Sequence, residues 1–332
     1  SVNAAGFELP LALSNGLNTL AITKAYFNAE QAWFEAAGAV SIPEDDSFLP
    51  LAGRNICLSA TDLCENGVLY LSDNFKVNAL NLTLRKSGDN INTDSGTSLT
   101  FNKNGMVNLT IDADYTFPNQ SVIDAESGQP LTARLKAVTE QGWQDWIAQL
   151  SMPKFKIGGI ESIAFEAGER PIYYDHSDFK NPAGIPSSFT SADAGESPIN
   201  TSLPTWQGIY IPQTTVHLPE IIKNVNGQAL KMETTNIIID ANGLTGSIQN
   251  SGTVLSIGNG SMDGWYASIE KVKLNIFKSA FKSSTMTGKL VLPASTDYAN
   301  ASNQLDYTAE LTTPNGGGIA YQFKIHPKDN LV

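Results

Sequence analysis

A chain of 332 residues is long enough for two domains of ordinary size, each able to bury its own core. Charged residues make up only 16%, the net charge is −12, and Asn, Ser, Thr and Gly are plentiful. This is the composition of a secreted or particle-type β protein rather than a helical cytosolic enzyme, and it argues against nucleic acid or an anionic membrane as partner. No apolar run reaches about 18 residues, so no membrane-spanning helix is expected. The chain opens at Ser1-Val2-Asn3 without a basic n-region or an initiator Met, which suggests an excised or processed segment.

In chain order, residues 1–20 are broken by Pro10, Asn15 and Gly16 and read as an arm or edge strand. Residues 21–39 mix helix formers with Tyr26, Trp33 and Phe34; two strands are expected there, because the stretch leads into Val40-Ser41-Ile42-Pro43, which reads like Val216-His217-Leu218-Pro219. Asn66-Gly67 follows Pro43 at the same distance as Asn242-Gly243 follows Pro219. Each Asn-Gly reads as a hairpin turn with both residues at positive φ, and the shared spacing as an internal repeat. Cys57 and Cys64 fit no metal or redox spacing. On one extended strand they would lie ~20 Å apart, which favours two free thiols over a local disulfide across a bend.

Residues 77–84 alternate as one strand and are echoed by 269–276, with 250–264 a loop insertion in the second copy. Further strands are expected at 98–101, 107–112 with 114–117, 155–157, 160–165, 289–292, 305–311 and 319–325, the last two joined by the Gly-rich tip 314–318. One helix is expected over 142–150, since Trp143, Trp146, Ile147 and Leu150 share a helical face and Pro153 follows. Pro, Ser and Asp then crowd 171–204, a connector between a β-rich module at 1–170 and another at 205–332.

Chemistry-bearing residues are dispersed. His176, His217 and His326 form no local ligand set, and no zinc, nucleophile-elbow, phosphate-loop or dinucleotide motif is present, so no cofactor is expected. The carboxylates are densest at Asp45-Asp46, Asp112/Asp114, Asp175/Asp178 and Asp240. Asp112 and Asp114 read either as a tight turn or as a same-face pair able to hold a hard cation or serve glycoside hydrolysis. Asp240-Ala241-Asn242-Gly243 resembles the start of a calcium loop, but Ser251 stands where the bidentate acid is needed, so a hairpin turn is expected. Trp206, Tyr210, Trp265 and Tyr266 are candidates for a sugar-stacking surface, with core packing as the alternative.

The second half has a recognisable order. Tyr174-Asp175-His176-Ser177-Asp178-Phe179-Lys180-Asn181-Pro182 is followed by Trp206-Gln207-Gly208-Ile209-Tyr210-Ile211 and Val216-His217-Leu218-Pro219. Then come Ile239-Asp240-Ala241-Asn242-Gly243-Leu244-Thr245-Gly246, Asp263-Gly264-Trp265, Gly288-Lys289-Leu290-Val291-Leu292-Pro293 and Leu305-Asp306-Tyr307. This resembles modules repeated in very large β-rich bacterial proteins of the Bacteroidota type and, beyond them, cargo of extracellular contractile injection systems. It covers about residues 170–326; the first half follows the order loosely and lacks the Asp-Gly-Trp step. The resemblance implies other modules of a parent protein as partners and brings no catalytic residues.

The fold expected is mainly β: antiparallel, sandwich-like, two related modules with one or two short helices. The function expected is that of a non-enzymatic structural or binding module of a larger secreted or particle-associated bacterial protein, with other modules or a glycan as partner. The rival is a secreted effector or toxin cargo fragment, a glycan-active enzyme using an Asp pair, which needs two carboxylates ~5–9.5 Å apart in a cleft.

Overall fold

The computed structural model describes residues 19–27, 32–58, 63–87, 96–102, 104–118, 122–157, 164–191, 195–217, 227, 231–250, 252–259, 261–262, 264–292, 297–312 and 320–326. The protein is mainly β and its ladders are antiparallel; among the described residues helical geometry is confined to short 3-10 turns. The chain forms two compact units. The first holds Ser1–Asn119, Thr132–Ser151 and Tyr174–Lys180; the second holds Gln120–Leu131, Met152–Tyr173 and Asn181–Val332. The stretch 171–204, expected as a connector, is thus shared between the units and carries strands of its own.

In the first unit β1 (Thr19–Phe27) pairs with β2 (Ala32–Ile42), and β2 with β3 (Ser47–Leu58). Phe34, Ala36, Val40 and Ile42 of β2 turn inward at period two, as the alternation requires, and Pro43 ends the strand in a 3-10 turn. Cys57 and Cys64 are joined by a disulfide with Cα atoms 5.3 Å apart, so the free-thiol expectation is corrected. β3 ends at Leu58, and the Cys64 N–H donates to the Cys57 carbonyl at 3.1 Å; the two cysteines do not share one extended strand.

β4 (Gly67–Tyr70) meets β3 at Ala52↔Tyr70. Asn66-Gly67 is not a turn with both residues at positive φ: neither has positive φ, and Gly67 opens β4 with its Cα against the Phe101 ring. The single strand expected over 77–84 is a hairpin, β5 (Phe75–Val77) with β6 (Leu82–Leu84), around the 3-10 turn Asn78–Leu80. The Asp45 carboxylate accepts the Asn78 and Ala79 N–H groups at 3.3 and 3.2 Å, and Asn81 adopts φ 53°, which Asn tolerates better than most residues. β7 (Ser98–Asn102) bridges β4 and β8 (Gly105–Thr116). β8 runs unbroken through Asp112-Ala113-Asp114, which removes the tight-turn reading, and its far half is flanked by β6.

After β9 (Val122–Asp124) of the second unit come β10 (Thr132–Thr139), paired with β8, and β11 (Asp145–Ser151), paired with β10. The helix expected at 142–150 is therefore a turn and a strand. Trp146, Ala148 and Leu150 are buried at period two while Trp143 sits in the preceding turn; the helical spacing of the apolar residues is a coincidence of those two environments.

β12 (Phe155–Ile157) lies between β9 and β13 (Ala164–Ala167). β14 (Ile172–Ser177) follows, and its 174–177 part flanks β11. The second unit then adds a small hairpin, β15 (Ser188–Phe189) with β16 (Ile199–Asn200). Its main ladder runs from β13 to β17 (Gly208–His217), β18 (Lys231–Asp240) and β19 (Gly243–Asn250). The turn between β18 and β19 is Ala241-Asn242, one residue earlier than expected; Gly243 opens the return strand at φ 100°. β20 (Ser261–Met262) pairs with β21 (Trp265–Ala267). β22 (Lys271–Phe277) links β19 to β23 (Ala280–Val291), whose far half is flanked by β21. β24 (Gln304–Thr312) and β25 (Ala320–His326) complete the ladder. Pro219 and the tip 314–318 lie outside the described residues.

Candidate functional site

The four aromatic residues singled out in the sequence do not form one surface. Trp206 and Tyr210 come together in a core cluster with Ile199, Ile238 and Phe277, at 8% and 1% exposure. Trp206 Nε1 donates to Asp240 at 3.2 Å, which fastens the β18–β19 turn. Trp265 is half-buried against a separate cluster around Leu290 and Tyr307. Tyr266 alone is exposed, beside Tyr298 with ring centroids 4.8 Å apart.

Asp112 and Asp114 do face one side of β8, as their spacing demands, but both are occupied. Arg134 grips Asp112 with two hydrogen bonds of 3.0 and 2.8 Å, Lys136 stands at 3.4 Å, and Arg85 binds Asp114 at 2.9 Å. Burial alone would raise the Asp112 carboxyl; the hydrogen bonds and charges of Arg134 and Lys136 outweigh it and hold the group below the ordinary carboxylate value. The pair is a set of cross-strand ties between β8, β10 and the chain after β6. Among the described residues no three His, Cys, Asp or Glu side chains are grouped to hold a metal ion.

A buried polar network occupies the first unit. Ser177 Oγ donates to Asp145 at 2.6 Å and accepts the Phe179 and Lys180 N–H groups, each at 3.1 Å. His176 Nε2 lies 3.0 Å from Glu44, which also accepts from Trp143 Nε1 at 2.9 Å. The histidine is thus engaged by a carboxylate and the serine proton by another, so the set organises a loop rather than a nucleophile. His217, expected to face solvent, is half-buried and bonded to Glu166 at 2.7 Å.

The described part of the second unit carries a groove of about 480 Å³. Its floor is the outer face of β18, β19 and β22; its wall is the 186–191 segment that carries β15. It owes its shape to an irregularity in β18. Asn236 adopts φ 57°, and Asn236-Ile237 together face Gly246, so the β18–β19 register shifts between Thr235 and Ile238. Gly246 permits this because a side chain there would meet Ile237 Cγ1 at 2.8 Å. The bulge turns the Asn236 amide toward the groove, where the Tyr210 hydroxyl, 2.8 Å away, fixes one end of it. Tyr210 therefore shapes the site from beneath, not as a stacking surface.

Nothing in the sequence pattern around Asn236 announced the groove. The usable signal was a polar Asn inside an otherwise β-branched strand, with a Gly in the facing strand. Comparison with protein-family models, with curated proteins and with solved structures found no match.

Proposed function

We propose that the chain is a non-enzymatic structural and binding module of a larger secreted or particle-associated protein, built as two copies of one antiparallel meander. The observation that carries this is the strand order. In the first unit the ladder runs β1-β2-β3-β4-β7-β8-β10-β11, with the β5–β6 hairpin flanking the far half of β8. In the second it runs β13-β17-β18-β19-β22-β23-β24-β25, with the β20–β21 hairpin flanking the far half of β23. A left-handed Asn followed by a buried Ile marks the same strand in both, Asn55-Ile56 in β3 and Asn236-Ile237 in β18.

The comparison also points to the partners. β13 is covered on its outer side by β12, and β11 by the 174–177 part of β14. Their counterparts β1 and β25 each have one neighbour among the described residues. Open edges of this kind pair with added strands, and neighbouring modules of a parent protein would supply them. The disulfide fits an oxidising compartment. The rival reading, a glycan-active enzyme with an Asp pair, would require carboxylates that Arg85, Arg134 and Lys136 already engage.

Amine cross-linking of the protein in its native secreted material, read by mass spectrometry, tests the proposal. Lys24 on β1 and Lys324 on β25 should link to peptides of neighbouring modules. Recovery as a free monomer with neither lysine linked, or hydrolysis of a glycan that is lost in Asp112→Asn, would overturn it.

A further inference from the structure

We propose that the groove over β18, β19 and β22 binds an acidic oligosaccharide, a chain of uronic-acid type sugars lying across the strands. This rests on the binding-module reading and supplies it with a ligand. The first support is the composition of the floor. Thr235, Ser247 and Asn275 are paired in turn across three strands, a single row of two hydroxyls and an amide. Neighbouring members are ~4.8 Å apart, about the length of one sugar ring, so each strand can offer one polar group to each sugar. Asn275 Nδ2 already donates to Ser283 Oγ at 2.6 Å, which fixes the amide's orientation.

The second support is the Asn236 amide. Tyr210 holds one end, and the other has no partner among the described residues, so a hydrogen-bonding group is set in place before the ligand arrives. The third is Phe189, half-buried at the wall, which offers a ring to the apolar face of a sugar.

Charge selects the acidic class. The protein carries a net −12, yet the groove lining contains Lys273 and Lys282 and no carboxylate. Lys282 is tied to Glu196 at 2.5 Å, which anchors the chain beyond the wall. Lys273 is exposed on β22 and makes no ion pair with the described residues. A ligand carboxylate beside Lys273 would meet a cation with no competing carboxylate among the described residues, in a molecule whose overall field otherwise repels anions. No covalent step is involved.

The test is calorimetry and backbone NMR titration of the whole chain with three probes: a tetramer of galacturonic acid, a neutral tetramer of glucose, and sodium sulfate. The uronate should bind in the submillimolar range, shift the Gly246, Ser247 and Asn275 amides, and exceed the neutral tetramer by about tenfold. Lys273→Gln should remove that preference. Asn236→Gly, which keeps the left-handed backbone, should weaken the uronate severalfold with an unchanged circular dichroism spectrum, and Lys271→Gln should change nothing. The proposal fails if no saccharide binds by about 10 mM, if the neutral tetramer binds as well, if sulfate alone reproduces the shifts, or if both groove variants bind like the original. Failure here with Lys24 and Lys324 still cross-linked would remove the ligand and leave the module reading intact. Cleavage of the bound tetramer would do the reverse.

Discussion

Asp175 is 1% exposed; its Oδ1 accepts the Ser177 N–H at 3.0 Å and its Oδ2 has no hydrogen-bond partner among the described residues. Burial, with Asp145 and Asp178 nearby adding to it, pushes the carboxyl up to about 7 against the pull of the Ser177 N–H and Lys180. The consequence for stability follows from proton linkage. Between the ordinary carboxylate value and about 7 the unfolded chain ionises this group while the folded chain keeps it neutral, so stability falls with rising pH across that window and levels off above it. Asp175→Asn mimics the neutral form. It should raise stability by roughly 1–3 kcal/mol at pH 8 and have little effect near pH 4. Urea denaturation at the two pH values checks this; an equal effect at both would mean that the carboxyl is ionised in the fold. Gly67 gives a contrasting case, where the cause is packing. Phe101, whose ring a Cβ at Gly67 would enter, is 1% exposed and has nowhere to go. Gly67→Ala should therefore cost ~1–3 kcal/mol, whereas Gly252→Ala, with nothing within 4 Å, should be close to neutral. Equal melting temperatures for the two variants would contradict the packing around Phe101.

At the scale of elements, the disulfide links the end of β3 to the chain shortly before β4, where the two strands share one residue pair among the described residues, Ala52↔Tyr70. Its effect is mainly on the unfolded chain, worth about 2–3 kcal/mol for so short a loop. Cys57→Ala with Cys64→Ala, or addition of reductant, should lower the melting temperature by several degrees without changing the strand content; an unchanged melting curve would show that the ladder alone holds this corner. The element scale also shows what a sequence can and cannot disclose. The strands at β7, β12, β24 and β25 were legible because their alternation is uninterrupted. The 142–150 stretch was not, because Trp143 in a turn and Trp146 in a strand are both buried and together imitate a helical face. The break between β5 and β6 depends on Asp45, far away in the chain, accepting two N–H groups of the Asn78–Leu80 turn, and no local pattern reports that. The groove escaped detection for the same reason. Thr235, Ser247 and Asn275 become a row only when three strands are in register. Trp206 and Tyr210 attracted notice for their chemistry, and the fold uses them as core.

At the scale of the whole molecule, the proposed function rests on two like strand orders. The glycines of the repeat expected from Pro43, Gly67, Pro219 and Gly243 open β4 and β19, strands that hold the same place in the two orders, but Gly243 has positive φ and Gly67 does not. The sounder landmarks are the strand order and the two left-handed Asn residues, Asn55 and Asn236. β11 and β13 have neighbours on both sides, while their proposed counterparts β25 and β1 have one each among the described residues, so the outward amides of β1 and β25 should exchange faster. Residue-resolved hydrogen exchange by NMR on the isolated chain measures this directly. Matching protection is predicted in β8 and β23, which are paired on both sides, and slow exchange throughout β11 and β13. Slow and fast amides should alternate along β25, and along β1 on either side of the register shift between Ile22 and Lys24, the fast ones pointing outward. Uniform protection along β1 or β25, or unlike patterns in β8 and β23, would contradict this reading.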